Sequence, residues 1–168
     1  MYKVYLKCPK LDELRYTQEL LADEATMSFN AKWGGTVPFP PEQWKAFFDR
    51  YINHPKERVY YHIRRMEDDA FLGEVSARYE TVNDWWWLNI KILASMRGNG
   101  YGRMALELFL YEMFAKRGAS QIVDDVARDN IGAQTLLKRV GFRVVQVDDE
   151  VVLMRLLKGD FERKNIAP

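Results

Sequence analysis

The stretch SMRGNGYGRMALELFLYEMF, residues 95–114, sets Gly98, Gly100 and Gly102 at alternate positions directly against an apolar, helix-forming run. Glycine places little limit on φ and leaves its N–H unshielded by a side chain. At a helix start such N–H groups have no intrahelical acceptor, and the helix dipole adds partial positive charge. The combination suits a phosphate or pyrophosphate, with Arg97 as an adjacent charged donor. A tight strand-to-helix turn without a ligand explains the same spacing equally well. The standard nucleotide motifs do not fit. The P-loop needs Gly-Lys-Ser/Thr where this chain has Gly102, Arg103 and Met104. The dinucleotide fingerprint starts at Gly98 and Gly100 but meets Arg103 where its third glycine belongs. A nucleotide-binding domain is therefore disfavoured.

Upstream, "RVYYHIRR", "AFLGEVSARYE" and "WWWLNIKIL" alternate with a period of two, joined by "MEDD" and "TVND". Turns this short imply antiparallel hairpins. Before them come a strand in "YKVYLKC", a helix spaced by Leu11, Leu14 and Leu21, and an ordered loop, "NAKWGGTVPFPP". Pro41 can open the next helix, "PEQWKAFFDRYI", because the N–H it lacks would be unpaired there. Downstream of the long helix, expected over 101–116, "QIVDDVA" is a strand and "NIGAQTLLKRV" a helix closed by Gly141. "FRVVQV" and "EVVLMRL" form a final hairpin. The crossover into "QIVDDVA" is long enough for a right-handed parallel connection. The order β-α-α-β-β-β-α-β-α-β-β predicts an α/β fold: a mixed, mostly antiparallel central sheet flanked by helices.

No repeat or linker divides the chain, so a single domain over 1–168 is expected, with 158–168 as a frayed tail. Apolar residues make up 48% of the chain, which excludes a disordered reading. With 25 basic and 24 acidic residues, no global field points to nucleic acid or an anionic membrane. No apolar run nears the ~20 residues that cross a bilayer, and the N-terminus lacks a signal-peptide core. A cytoplasmic location is expected. The single cysteine, Cys8, is read as a small core-side hydrophobe at a strand end. His54 and His62 share no metal-ligand spacing, so both are read as structural and no metal is expected.

A second stretch decides between turn and binding site. Asn130, Ala133, Leu136, Gly141 and Phe142 follow the glycine turn at the distance of one strand. Together with Arg97, Gly100 and Gly102 they resemble the GNAT superfamily of N-acetyltransferases. Its pyrophosphate motif, Arg/Gln-x-x-Gly-x-Gly/Ala, and its following motif, Asn-x-x-Ala-x-x-Leu-Tyr-x-x-x-Gly-Phe, fit these positions. The likeness covers roughly residues 71–157; earlier residues fit only in element order. It implies the acyl-CoA N-acyltransferase fold, with acetyl-CoA as co-substrate. It places the pyrophosphate on Gly98, Asn99, Gly100, Tyr101, Gly102 and Arg103, beside Arg97. The pantetheine arm would lie along Ile90, Lys91 and Ile92, where the strand splays from "QIVDDVA". Asn130 would contact the arm, or simply cap its helix, and Ala133 would leave room.

The reaction so implied moves an acetyl group to a primary amine of a small molecule or peptide. An amine of pKa near ~10.4 needs a base or water relay, and a backbone N–H near Ile92 could receive the oxyanion. Asp125 falls where some members, such as the ribosomal-protein alanine acetyltransferases, carry a glutamate base. Asp124 alternates to the opposite face. Glu74 is the second candidate base, expected to point opposite to Val75 and Phe71. The tyrosine that protonates the departing thiolate in that family is replaced by Leu137, so the acid is missing, supplied elsewhere, with Tyr101 and Tyr79 as loose candidates, or unnecessary, since a thiol of pKa ~8.5 leaves readily. That departure supports an alternative: a non-catalytic acyl-CoA-binding module. Trp33, Trp85 and Trp87, with Phe39, are read as an aromatic slot for the acceptor, against plain covering of sheet and helix faces. A homodimer is compatible with the sequence but not specified by it.

Overall fold

The period-two segments become strands β2 (Arg58–Arg65), β3 (Phe71–Glu80) and β4 (Trp85–Ile92), paired antiparallel as their short turns require. In the computed structural model, which describes residues 2–53 and 56–166, they form the middle of one seven-stranded sheet. β1 (Val4–Lys7) flanks β2, while β5 (Gln121–Ala127), β7 (Val151–Leu157) and β6 (Arg143–Val147) extend the other side. The order is β1-β2-β3-β4-β5-β7-β6, and β4–β5 is the parallel pair.

Helix α3 (Tyr101–Tyr111), continued by a π-helical turn over Glu112–Lys116, covers one face. Its Leu106, Phe109, Leu110 and Met113 recur at helical spacing and are wholly buried against Val75, Leu88 and Ile122. Each contributes about 1.5–3 kcal/mol through burial. Helix α4 (Ile131–Val140) joins the same core through Leu137 and Val140 and ends at left-handed Gly141. Helices α1 (Leu14–Ala22) and α2 (Pro41–Phe48) cover the opposite face, around Leu14, Leu20, Met27, Tyr60 and Phe71.

Two departures from regular pairing shape the site. First, β3 carries an extra residue at Leu72, since Gly73 opposes Ile63 and Phe71 opposes Arg64. A Cβ on Gly73 would stand 2.0 Å from the Lys91 carbonyl oxygen, so only glycine allows this approach. The bulge corrects one expectation: Glu74 faces away from Val75 but on the same side as Phe71, whose ring meets that of His62 at 4.8 Å. Second, β4 and β5 pair only at Trp86–Ile122 and Trp87–Val123. Beyond that point β4 stays with β3 through Ile92 and β5 stays with β7 through Ala127, so a wedge opens between them.

Three smaller expectations also change. Residues Thr26–Trp33 form a 3₁₀ segment, so the expected loop begins only at Gly34. Cys8 is exposed just past the end of β1 rather than core-side. The expected frayed tail instead forms α5 (Lys158–Ile166), because its one aromatic, Phe161, docks on Phe114 with ring centroids 5.1 Å apart. His54 lies outside the described residues.

Candidate functional site

Gly98 and Gly100 hold left-handed φ of 82° and 77°, and Gly100 caps α3, its carbonyl accepting from the Met104 N–H at 3.2 Å. A side chain is strained in that region, which explains glycine at both positions. Among the described residues, none of the six consecutive N–H groups from Gly98 to Arg103 donates to a protein acceptor. All of these residues but Asn99 line a cavity of about 760 Å³ between the starts of α3 and α4 and the end of β4. Arg97, Arg103 and Arg139 line it against one acidic residue, Asp129.

Arg97 is partly engaged in holding the turn. Its guanidinium donates to the Ile92 carbonyl at 3.1 Å and the Thr26 carbonyl at 2.9 Å, tying the loop to β4 and the N-terminal segment. Arg103 pairs with Glu107 one turn on, at 2.8 Å. Asn99 does not line the cavity; its amide donates back to the Met96 and Arg97 carbonyls. Ile90 and Ile92 line the cavity, as does Lys91, whose ammonium reaches the other face of the sheet.

At the start of α4 the Asn130 side chain accepts from the Ala133 N–H at 3.2 Å, so it is an N-cap, and it also lines the cavity. Ala133 lines it too. Gly132, Thr135 and Arg139 were missed by the sequence reading. Their spacing of three and then four residues along "NIGAQTLLKRV" was the available signal for one shared helix face. Ser28 and Phe29 of the 3₁₀ segment also line the cavity, and nothing in the sequence marked them.

A second cavity, about 280 Å³, fills the β4–β5 wedge and shares Phe29, Ile90, Asn130, Ala133 and Leu136 with the first. Asp124 and Asp125 both line it, although strand alternation separates them, because the unpaired strand edge is open on either side. Part of Asp124 is open to the cavity, yet protein surrounds the carboxyl. That desolvation, reinforced by Asp125 and opposed by Lys91, pushes its pKa up to about 8. Partial burial raises Asp125 as well, against the pull of Arg78.

Glu74 is differently placed. Its carboxylate takes the Lys91 ammonium at 2.8 Å and the Tyr60 hydroxyl at 2.7 Å, beneath α1. Burial alone would raise it, but Lys91 and the two hydrogen bonds outweigh that and hold it below the usual range. Tyr60 and His62 both contact the Thr17 hydroxyl, at 2.7 and 3.0 Å. Burial pushes His62 down to about 4.

Trp33 lines the wedge cavity. Trp85 and Trp87 do not line either cavity; they meet edge-to-face at 5.5 Å near the start of β4. Phe39 belongs to the core, against Phe47. Of the rings expected at an aromatic slot only Trp33 lines a cavity, where Phe29 joins it. Tyr79 donates to Asp84 at 2.7 Å, in the β3–β4 turn. Tyr101 lines the larger cavity and bonds the Arg65 side chain. Leu137, at the position of the expected tyrosine, is 1% exposed. Among the described residues no cluster of three metal-ligating side chains occurs, and no helix is long and apolar enough to cross a membrane.

Comparison with known proteins gives a consistent family. A family model described as an acetyltransferase (GNAT) domain matches residues 3–143. A spermidine N-acetyltransferase from Vibrio cholerae, solved with CoA and spermine, superposes with a TM-score of 0.82 at 17% identity, covering 95% of this chain and 98% of that one. A GNAT-family acetyltransferase from Bacillus anthracis gives 0.78 at 11% identity, with coverages of 94% and 96%. A ribosomal-protein-serine acetyltransferase, so described provisionally, from Vibrio cholerae gives 0.74 at 15%, with coverages of 94% and 95%. No curated protein matches the chain by sequence.

Proposed function

The chain belongs to the acetyltransferase (GNAT) family, and on that premise we propose that it moves an acetyl group from acetyl-CoA to a primary amine of a small molecule or peptide. The observation that carries the reading is the run of six unpartnered N–H groups from Gly98 to Arg103, whose residues other than Asn99 line a cavity continuous with the wedge. That arrangement supports a pyrophosphate at the helix start and a thioester reaching the point where β4 and β5 part. Arg139 adds a cation on the same cavity, and the unpaired edges of β4 and β5 offer main-chain partners to the pantetheine arm. An N–H near Ile92 would receive the oxyanion.

The acceptor would enter the wedge beside Trp33, with Asp125 on the open side to attract its ammonium and take its first proton. The Asp125 carboxylate and an aromatic ring favour a cationic amine. The structural relative solved with spermine makes a polyamine the first candidate. A peptide amine is the broader choice. Glu74, committed to Lys91, supports the fold around the site rather than proton abstraction. A non-catalytic acyl-CoA-binding module is the second reading, favoured by buried, apolar Leu137.

Thermal-shift titration with acetyl-CoA, CoA, NAD and ATP tests the donor. Ligand at 100 times its dissociation constant should stabilise by ~2.7 kcal/mol. CoA species alone should do so, and Gly100→Val, which forces a side chain into left-handed backbone, should lose the shift. Release of free CoA thiol with spermidine, other amines and peptides then separates the two readings. Binding without thiol release from any of them would leave the non-catalytic module.

A further inference from the structure

Acetyl transfer from CoA to an ammonium releases two protons from nitrogen, one before attack and one as the tetrahedral adduct forms. The departing sulfur takes up one proton. At the position where the resemblance puts a tyrosine donor, Leu137 is apolar and buried, so that position supplies no proton. Among the described residues lining the wedge cavity, only Asp124 and Asp125 titrate. Tyr101, in the adjoining cavity, is engaged with Arg65. Asp125 lies at the exposed side, whereas Asp124 is enclosed beside Leu137, and among the described residues no side chain hydrogen-bonds its carboxyl.

We propose that Asp124 carries the second proton from the acceptor nitrogen to the sulfur of CoA. The inference rests on the acyl-transfer reading above. As the amine lone pair bonds the thioester carbon, the carbonyl π pair moves onto oxygen and an N–H proton passes to the Asp124 carboxylate. When the oxygen pair returns, the C–S bond breaks with its electrons on sulfur, and Asp124 gives the proton to that thiolate. Asp124 ends unchanged, and the first proton leaves to solvent by way of Asp125.

The setting supports the role. Burial brings Asp124 to about 8, close to the ~8.5 of an ordinary thiol, so neither transfer is steeply uphill. Asp125 on the same strand pushes it up and Lys91 on β4 pulls it down. The neighbours from α4 and β7, Leu136, Leu137 and the register partner Met154, bring no charge.

Asp124→Asn is the test, since a neutral amide resembles the protonated acid and the variant should fold. With acetyl-CoA, kcat should fall by about 100-fold or more. The KM for acetyl-CoA and the CoA thermal shift should stay at wild-type values, and Asp124→Glu should recover part of the rate. With 4-nitrophenyl thioacetate as donor, whose thiolate leaves without a proton, the defect should shrink by about tenfold. Turnover of Asp124→Asn within about threefold of wild type would overturn the inference, as would an equal defect with both donors. Wild-type protein that binds CoA yet transfers to no amine would overturn the acyl-transfer reading itself, and this step with it.

Discussion

The packed face beneath α1 and the wedge between β4 and β5 each enclose a carboxyl, and they treat it in opposite ways. Glu74 is given an ammonium and a hydroxyl, which outweigh its burial and keep it ionised. Asp124 is given neither, and burial lifts it to about 8. The two strands that could enclose a partner for Asp124 have separated there, and the space is open cavity. A buried carboxyl with its partners supplied is part of the framework. One left without a side-chain hydrogen bond in a cleft is a candidate for chemistry.

The comparison is broken most sharply at Lys91. Lys91→Met would leave Glu74 with a buried charge and only the Tyr60 hydroxyl to meet it. Removing one partner of a buried pair costs about 3–5 kcal/mol. Urea unfolding at pH 7 should show a loss of that order, and Glu74→Gln combined with Lys91→Met should restore most of it. A single-variant loss below about 1 kcal/mol would mean that Lys91 does not compensate Glu74 as described.

His62 extends the same network and gives the next effect. Its folded pKa of about 4 lies below the unfolded value of 6.5, so the unfolded chain takes up the proton first as pH falls. Its contribution to stability is therefore full above pH 6.5 and declines between there and about pH 4. The difference of about 2.5 units corresponds to about 3 kcal/mol. Unfolding free energies of wild type and His62→Gln, measured at pH 7 and pH 4, should diverge by that order. Parallel pH slopes would show that His62 is not buried neutral.

What was legible in the sequence divides along similar lines. The cavity at the starts of α3 and α4 could be read because backbone shapes it: glycines that bare N–H groups, Asn130 at a cap, Gly141 at a C-terminus. Arg139 was also within reach, since it repeats the helical spacing of Gly132 and Thr135. The wedge could not be read, because side chains build it and their facing depends on pairing. An extra residue at Leu72 turned Phe71 and Glu74 onto one face, and the parting of β4 from β5 opened both Asp124 and Asp125 to one cavity. Strict alternation anticipates neither. Tryptophans near the start of β4 carried the right chemistry for an acceptor slot but lie away from the wedge, a distance that only the sheet register reveals.

The smallest effect probes Asp124 without any substrate. Because its folded pKa is raised, the folded protein retains a proton between pH 3.8 and about 8 that the unfolded chain gives up. Stability is therefore lost as pH rises through that window, and the loss is complete above pH 8. Taken in full, a span of about four units would be worth about 5–6 kcal/mol. Asp124 is only half-buried, beside a cavity that water can enter, and screening reduces this to roughly 1–2 kcal/mol. Asp124→Asn, which has no charge to desolvate, should melt several degrees above wild type at pH 9, at about 2–4 °C per kcal/mol for a chain of this size. At pH 4 the two proteins should melt together. The sign is opposite to that of Lys91→Met, so the pair of variants tests whether one region was built to satisfy its carboxyl and the other was not. A melting difference that is the same at pH 4 and pH 9 would place the Asp124 carboxyl in the ordinary range and erase the contrast.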